Sequence, residues 1–88
     1  MPVISLFYGI IVRMYREIGG KHNKPHIHVE YSGAKVVIAL DGEVLEGKIP
    51  RGKMHLVLAW MEIHRDDLHA NWQLLSDGEQ FFRIDPLK

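Results

Sequence analysis

The chain has 88 residues, a formal net charge of zero with its histidines neutral, and no cysteine. This length predicts a single domain over residues 1–88. The absence of thiols excludes disulfides and thiolate zinc sites, and zero net charge argues against strong generic DNA binding.

The N-terminal residues begin with an apolar stretch, Val3 to Tyr8, that no basic leader precedes. Arg13 ends the apolar run early, so we expect neither a signal peptide nor a transmembrane segment. Residues 10–15 alternate apolar and other side chains, which is typical of a strand. Residues 3–18 therefore read as one or two strands, with a break near Gly9. Gly19 and Gly20 end this segment, and residues 21–25 form a loop.

Residues 26–31 and 34–40 read as a hairpin around Ser32 and Gly33. The register that pairs Glu30 with Lys35 is chemically favourable. It places Ile27 and Val29 on a core face beneath the helix. His26 and His28 then lie on the other face. Asp41 and Gly42 mark a further turn, followed by a short strand near Val44.

Residues 50–76 show a helical pattern, with Pro50 suited to the first position and Gly78 to the C-terminal cap. A helix of this length would run ~40 Å, whereas a compact domain of this size should span only ~31 Å. Either the helix bends or breaks near Arg65–Asp67, or its end projects and needs a partner. Residues 79–84 are predicted as a last strand. We therefore expect an α+β domain in which a mainly antiparallel sheet of hairpins carries one long helix on one face and ends in a C-terminal strand.

Three of the six histidines, His22, His26 and His28, lie within seven residues. His26 and His28 should point the same way, about 7 Å apart, because side chains alternate along a strand. This spacing suits acid–base work on a phosphate, with one histidine as base, the other as acid, and Lys24 or Arg13 stabilising negative charge.

The same histidines suit two other roles. A metal ion needs a third protein ligand, which His22 could supply from its loop, with Glu30 on the same face. The spacing H-x3-H-x-H matches no standard zinc signature, however. Alternatively, the histidines are structural and bond to loop and strand backbone. The residues leave all three roles open.

Two motifs carry a family resemblance: His22 through Tyr31, and His64-Arg65-Asp66-Asp67-Leu68 followed by Trp72. With the opening Met1-Pro2 and the apolar strand Ile4 to Met14, they make the chain resemble the small bacterial proteins of domain of unknown function 4160. Lys24 departs from the family pattern, replacing the first of two prolines. Lys21 stands where an acidic residue often precedes the histidine, which leaves the role of His22 open.

The resemblance implies a bacterial cytoplasmic protein, because family members tend to be encoded beside another small protein in toxin–antitoxin-like pairs. Our leading expectation is thus a partner-binding protein of a two-gene module, without an assigned activity or a cofactor. Its partner would be a second copy or the neighbour-encoded protein, bound through Trp72, Leu74 and Leu75. The alternatives are a ribonuclease or phosphodiesterase using His26 and His28, and a protein holding one divalent metal through His22, His26 and His28. Nucleic acid is a further candidate partner, and membrane binding is not expected.

Overall fold

The computed structural model describes residues 3–15 and 24–88. Within them, five strands form one antiparallel sheet in chain order, and two helices follow. The strands are β1 (Val3–Phe7), β2 (Ile10–Arg13), β3 (His26–Tyr31), β4 (Ala34–Ala39) and β5 (Val44–Gly47). The helices are α1 (Arg51–Ile63) and α2 (Arg65–Ser76). The α+β class and the antiparallel hairpins are confirmed.

The hairpin of β3 and β4 has the predicted register, with Glu30 paired to Lys35 and Ile27 to Ile38. Ser32 and Gly33 close it with φ values of 48° and 88°. Two consecutive residues with positive φ form the tight turn whose twist matches that of the flanking strands. The turn and the side-chain alternation together fix which residues share a face.

The first two strands are likewise separated by a two-residue turn, in which Tyr8 and Gly9 have φ values of 49° and 78°. β2 then pairs with β3, so that Val12 lies opposite Val29. Residues 3–13 therefore form two strands, which was one of the two alternatives predicted, and the break near Gly9 is confirmed. Gly19, Gly20 and the loop start at residue 21 lie outside the described residues.

The hydrophobic core lies between one face of the sheet and the helices. Ile27, Val29 and Ile38 are at most 1% exposed on this face. Trp60 of α1 is fully buried and its ring centroid lies 5.3 Å from that of Phe7. The predicted placement of Ile27 and Val29 in the core is confirmed.

The prediction of one long helix is wrong, because the helix breaks at His64, which has φ −107° and ψ 27°. This is one residue before the range in which a break was the alternative. The molecule measures 34 × 27 × 22 Å, so an unbroken helix would project beyond it. Asp66 and Asp67 fall in the first turn of α2, where negative charge favours a helix N-terminus.

The predicted C-terminal strand is also wrong, since the described residues contain no strand after β5. The tail, residues 79–88, bonds to β1 through the Ile84 backbone nitrogen, which donates to the Ile4 carbonyl at 2.8 Å. At its start, the Glu79 backbone nitrogen donates to the Leu74 carbonyl at 2.8 Å. Side chains make further links: Ser5 Oγ donates to the Ile84 carbonyl at 2.9 Å, and Trp60 Nε1 to that of Asp85 at 2.8 Å. A strand needs a ladder of backbone bonds, and here side chains anchor the segment instead.

Neither α1 nor α2 has the length and apolar character needed to cross a bilayer.

Candidate functional site

His26 and His28 lie on the face of β3 opposite Ile27 and Val29. Their ring centroids are 5.2 Å apart. Tyr15 lies 4.6 Å from His28 in an edge-to-face arrangement, and Trp72 of α2 lies 5.3 Å from His26. These four rings, Tyr15, His28, His26 and Trp72, form an aromatic row. The row brings the two sequence-predicted histidines together. It adds Tyr15, which the site predictions did not include, and Trp72, which was predicted as an interface residue.

His26 is held in one orientation. It is only 1% exposed, and its Nδ1 lies 2.6 Å from the Lys24 carbonyl oxygen. A carbonyl oxygen only accepts, so Nδ1 must carry the hydrogen. In the neutral ring the lone pair is then on Nε2. A backbone carbonyl that fixes the tautomer in this way is a common means of preparing a histidine for proton or metal chemistry.

His28 is half-buried, so the two histidines differ in access. It pairs with Arg13 on β2 and with Val37 on β4. A ligand approaching this face of the sheet would reach His28 first, with His26 beside it. His26 is more buried than the strand pattern predicted, because Trp72 of the distant helix α2 packs against its ring.

Arg13 and Glu30 form an ion pair on the sheet face that carries His26 and His28, called the histidine face below. Arg13 Nη1 donates to Glu30 Oε1 at 2.7 Å. Their side chains are 24% and 32% exposed. Arg13 Nε is buried and has no hydrogen-bond partner among the described residues. Glu30 therefore compensates the charge of Arg13 without satisfying all of its donors, and the guanidinium remains a candidate anion-binding group.

Lys24 is engaged elsewhere, although the sequence suggested it as a charge-stabilising group. Its Nζ donates to Asp41 Oδ2 at 3.0 Å and to Glu43 Oε1 at 2.6 Å. The Glu43 and Asp41 carboxylates raise the pKa of Lys24 above its usual value. Sequence reasoning missed both acids, although the signal was present. The register that pairs His26 with Ala39 places Lys24 opposite Asp41 when extended by two residues.

The metal prediction depends on His22, which lies outside the described residues. Across residues 3–15 and 24–88, no group of three or more histidine, aspartate or glutamate side chains is arranged to hold a metal ion. His26 and His28 would supply two ligands of a set that needs a third.

The predicted interface residues pack largely within the chain itself. Leu75 is buried in the core, and Leu74 is half-buried. Trp72 is half-buried against His26 and the core. The break at His64 turns their helix back onto the sheet, so the projecting helix end that motivated the interface is not present.

Comparisons with known proteins place the chain in a family without assigning it an activity. Searches of the curated proteins and of the solved structures gave no match. A family model described as domain of unknown function (DUF4160) matches residues 9–73. The match covers three quarters of the chain, including His26, His28 and Trp72. The chain therefore belongs to the family of domain of unknown function 4160.

Proposed function

We propose that this protein cleaves phosphodiester bonds in RNA by acid–base chemistry at His28 and His26. The observation that carries the proposal is the pairing of a tautomer-fixed, buried His26 with a half-exposed His28, 5.2 Å apart between ring centroids. Imidazole is the side chain best suited to exchange protons near neutral pH. The partner-binding expectation ranks second, because two of the residues on which it rested pack inside the chain.

RNA supplies its own nucleophile, so the reaction needs no metal. A base takes the proton of the 2′-hydroxyl, the oxygen attacks phosphorus, and the 5′-oxygen leaves with a proton from an acid. The products are a 2′,3′-cyclic phosphate and a 5′-hydroxyl. His28 would exchange protons with the substrate directly. His26 would do so through Nε2, which is buried in the free protein and which the bound substrate would have to reach. Arg13 would stabilise the added negative charge on the phosphoryl oxygens.

The test measures cleavage of a short single-stranded RNA and identifies the cyclic phosphate. We expect His28→Ala to abolish cleavage, and His26→Asn to do so while its amide nitrogen can still bond the Lys24 carbonyl. His55→Ala and His69→Ala are matched controls, because both histidines are exposed on the helices. Chelator should leave the rate unchanged, and the pH profile should be bell-shaped.

Two outcomes would contradict the proposal. One is wild-type protein that produces no cyclic phosphate at any pH near neutrality. The other is His28→Ala protein that cleaves as fast as the wild type. If His26→Asn cleaves normally while His26→Ala only unfolds more easily, His26 is structural and the second proton-transfer group must be sought elsewhere.

A second candidate function is partner binding in the cytoplasm as one half of a two-gene, toxin–antitoxin-like module. It is favoured by the sheet face that carries the histidines, where Leu6 is 49% exposed and Ile11 and Val37 are half-buried. Apolar side chains on an exposed sheet face beside an ion pair resemble the composition of protein interfaces. We propose that the neighbour-encoded protein covers this face.

Co-expression of the two proteins tests this candidate. Leu6→Arg should prevent co-purification. Leu58→Arg, at a similarly exposed leucine on α1, should not. Sedimentation of each protein alone would identify a homodimer instead. Equal recovery of the partner with both variants would contradict binding at the histidine face.

A further inference from the structure

We propose that Lys24, Asp41 and Glu43 form a positioning clasp that holds the Lys24 carbonyl against His26 Nδ1 and thereby fixes the tautomer of His26. This inference deepens the proposed acid–base function and adds three residues to its site. None of the three would touch the substrate. They act through His26, whose Nδ1 lies 2.6 Å from the carbonyl.

The backbone that carries the two carboxylates is held by contacts that do not involve Lys24. They lie in the turn between β4 and β5, where the backbone nitrogen of Ala39 donates to the Glu43 carbonyl and that of Gly42 to the Ala39 carbonyl, both at 2.8 Å. Asp41 Oδ1 accepts the Glu43 backbone N–H at 3.0 Å. The turn therefore presents both acids on a defined backbone, and the Glu43 N–H also orients the Asp41 carboxylate towards Lys24.

The backbone around Lys24 is tied to the same turn. The backbone nitrogen of Leu40 donates to the Pro25 carbonyl at 2.9 Å, and His26 pairs with Ala39. Pro25 has no N–H and Lys24 precedes it, so this segment contributes few backbone donors of its own. The Lys24 side chain supplies the attachment at the position whose carbonyl His26 needs.

The contacts of the clasp suit orientation better than stability. Lys24, Asp41 and Glu43 have side chains that are 47%, 62% and 59% exposed, and exposed ion pairs contribute little to folding. The carboxylates raise the pKa of Lys24, and the Glu43 N–H and Lys24 lower that of Asp41. Lys24 and Asp41 therefore stay charged around neutral pH, which is where an imidazole would work.

The test is the 15N spectrum of the His26 imidazole, recorded at a pH where the ring is neutral. In the wild type, Nδ1 should give the signal of a protonated nitrogen and Nε2 that of a lone-pair nitrogen. Lys24→Met keeps the backbone carbonyl but removes Nζ. We expect the two signals to move towards each other as the Nε2–H tautomer, which free histidine prefers, becomes populated.

Four further samples make the result specific. Asp41→Asn combined with Glu43→Gln should reproduce the shift, and Lys24→Arg should restore the wild-type spectrum. Glu62→Gln is the matched control, because it removes another exposed ion pair, that of Glu62 with Arg65 at 3.0 Å. Wild-type protein in about 1 M salt, where the screening length is about 3 Å, tests the clasp without any substitution.

The spectrum does not depend on catalysis, so the clasp and the proposed function can fail separately. If His26 stays fully Nδ1-protonated in Lys24→Met, in the double variant and at high salt, the clasp does not position it. If the tautomer shifts but the wild type cleaves no RNA, the clasp stands and the nuclease proposal falls. If both hold, Lys24→Met should lower kcat and leave KM nearly unchanged.

Discussion

Gly47 at the end of β5 occupies a position that no other residue fits. Its φ is +76°, and a Cβ there would collide with the carbonyl oxygen of Lys35. The neighbouring Lys48 N–H donates to that same oxygen at 3.0 Å. The close approach of two backbones thus depends on the missing side chain.

Gly47→Ala should therefore lower the free energy of unfolding by roughly 1–3 kcal/mol from backbone strain and by about as much again from the collision. Gly33→Ala is the matched control, since Gly33 has φ +88° but nothing within 4 Å of the added Cβ. Urea denaturation of both variants measures the difference. Equal losses would mean that the contact with Lys35 relaxes without cost.

Asp41 should give the protein an acid-sensitive component of stability. The Glu43 backbone N–H, and then Lys24, hold the pKa of this carboxyl below its usual 3.8. A folded-state pKa below the unfolded one stabilises the protein above the unfolded value, and this contribution is lost as pH falls through the folded value. The relevant window therefore begins near pH 4 and extends downward.

Asp41→Asn removes this linkage, so the variant should be less stable than the wild type at neutral pH and equally stable in strong acid. Urea midpoints measured at several pH values for both proteins test this expectation. Glu62→Gln serves as a control that should keep the wild-type pH dependence. A stability gap between Asp41→Asn and wild type that stays constant down to strong acid would contradict it.

At the scale of elements, the strands were predictable because their signals are local. Alternation along residues 26–31 and the Ser32–Gly33 turn determine the faces and the register, and the structure has both. The break at His64 is harder to predict, because the apolar stripe continues through it: Met61 and Leu68 are both buried. The acidic pair Asp66 and Asp67 was the local signal of a second helix start.

The prediction of a strand in the tail was wrong because most of the tail's hydrogen-bond partners are side chains from distant elements. Asn71 lies on the buried stripe of α2, three residues after Leu68 and four before Leu75. It donates to the Phe82 carbonyl at 2.7 Å and accepts the Phe82 N–H at 2.9 Å. A polar residue on an apolar stripe should have suggested such a backbone partner.

Asn71→Ala should cost about 1–3 kcal/mol, because it leaves the N–H and C=O of Phe82 without these bonds. Gln73→Ala, at an exposed position on the same helix, is the control and should be nearly neutral. Urea denaturation gives the energies, and hydrogen exchange at the Phe82 amide reports the local effect. Unchanged exchange at Phe82 in Asn71→Ala would show that the tail does not depend on this residue.

At the scale of the whole molecule, the candidate site combines local and distant information. The shared face of His26 and His28 follows from alternation alone, and the contact between Lys24 and Asp41 follows from the hairpin register. The burial of His26 does not follow from either signal, because Trp72 lies near His26 only as a result of the helix break at His64. Residue 22 lies outside the described residues, so its place in the site stays a prediction.

The tail joins three parts of the molecule, since it bonds to β1 at Ile4 and Ser5, to α1 at Trp60 and to α2 at Asn71. Ile84 is only 4% exposed, and burying such a side chain contributes about 1.5–3 kcal/mol. Deletion of residues 79–88 would remove this burial and leave the side-chain donors of Ser5, Trp60 and Asn71 without these acceptors. The sum is a large share of the roughly 5–15 kcal/mol that stabilises a typical domain.

We therefore expect the chain truncated after Gly78 to lose cooperative unfolding, or to unfold at a much lower urea concentration. Its histidine face should become more exposed, because α2 would lose the bonds that hold it and Trp72 to the sheet. Deletion of Lys88 alone, an exposed residue, is the control. A truncated protein with the urea midpoint and slope of the full chain would show that sheet and helices pack without the tail, and that α2 needs no anchor to cover His26.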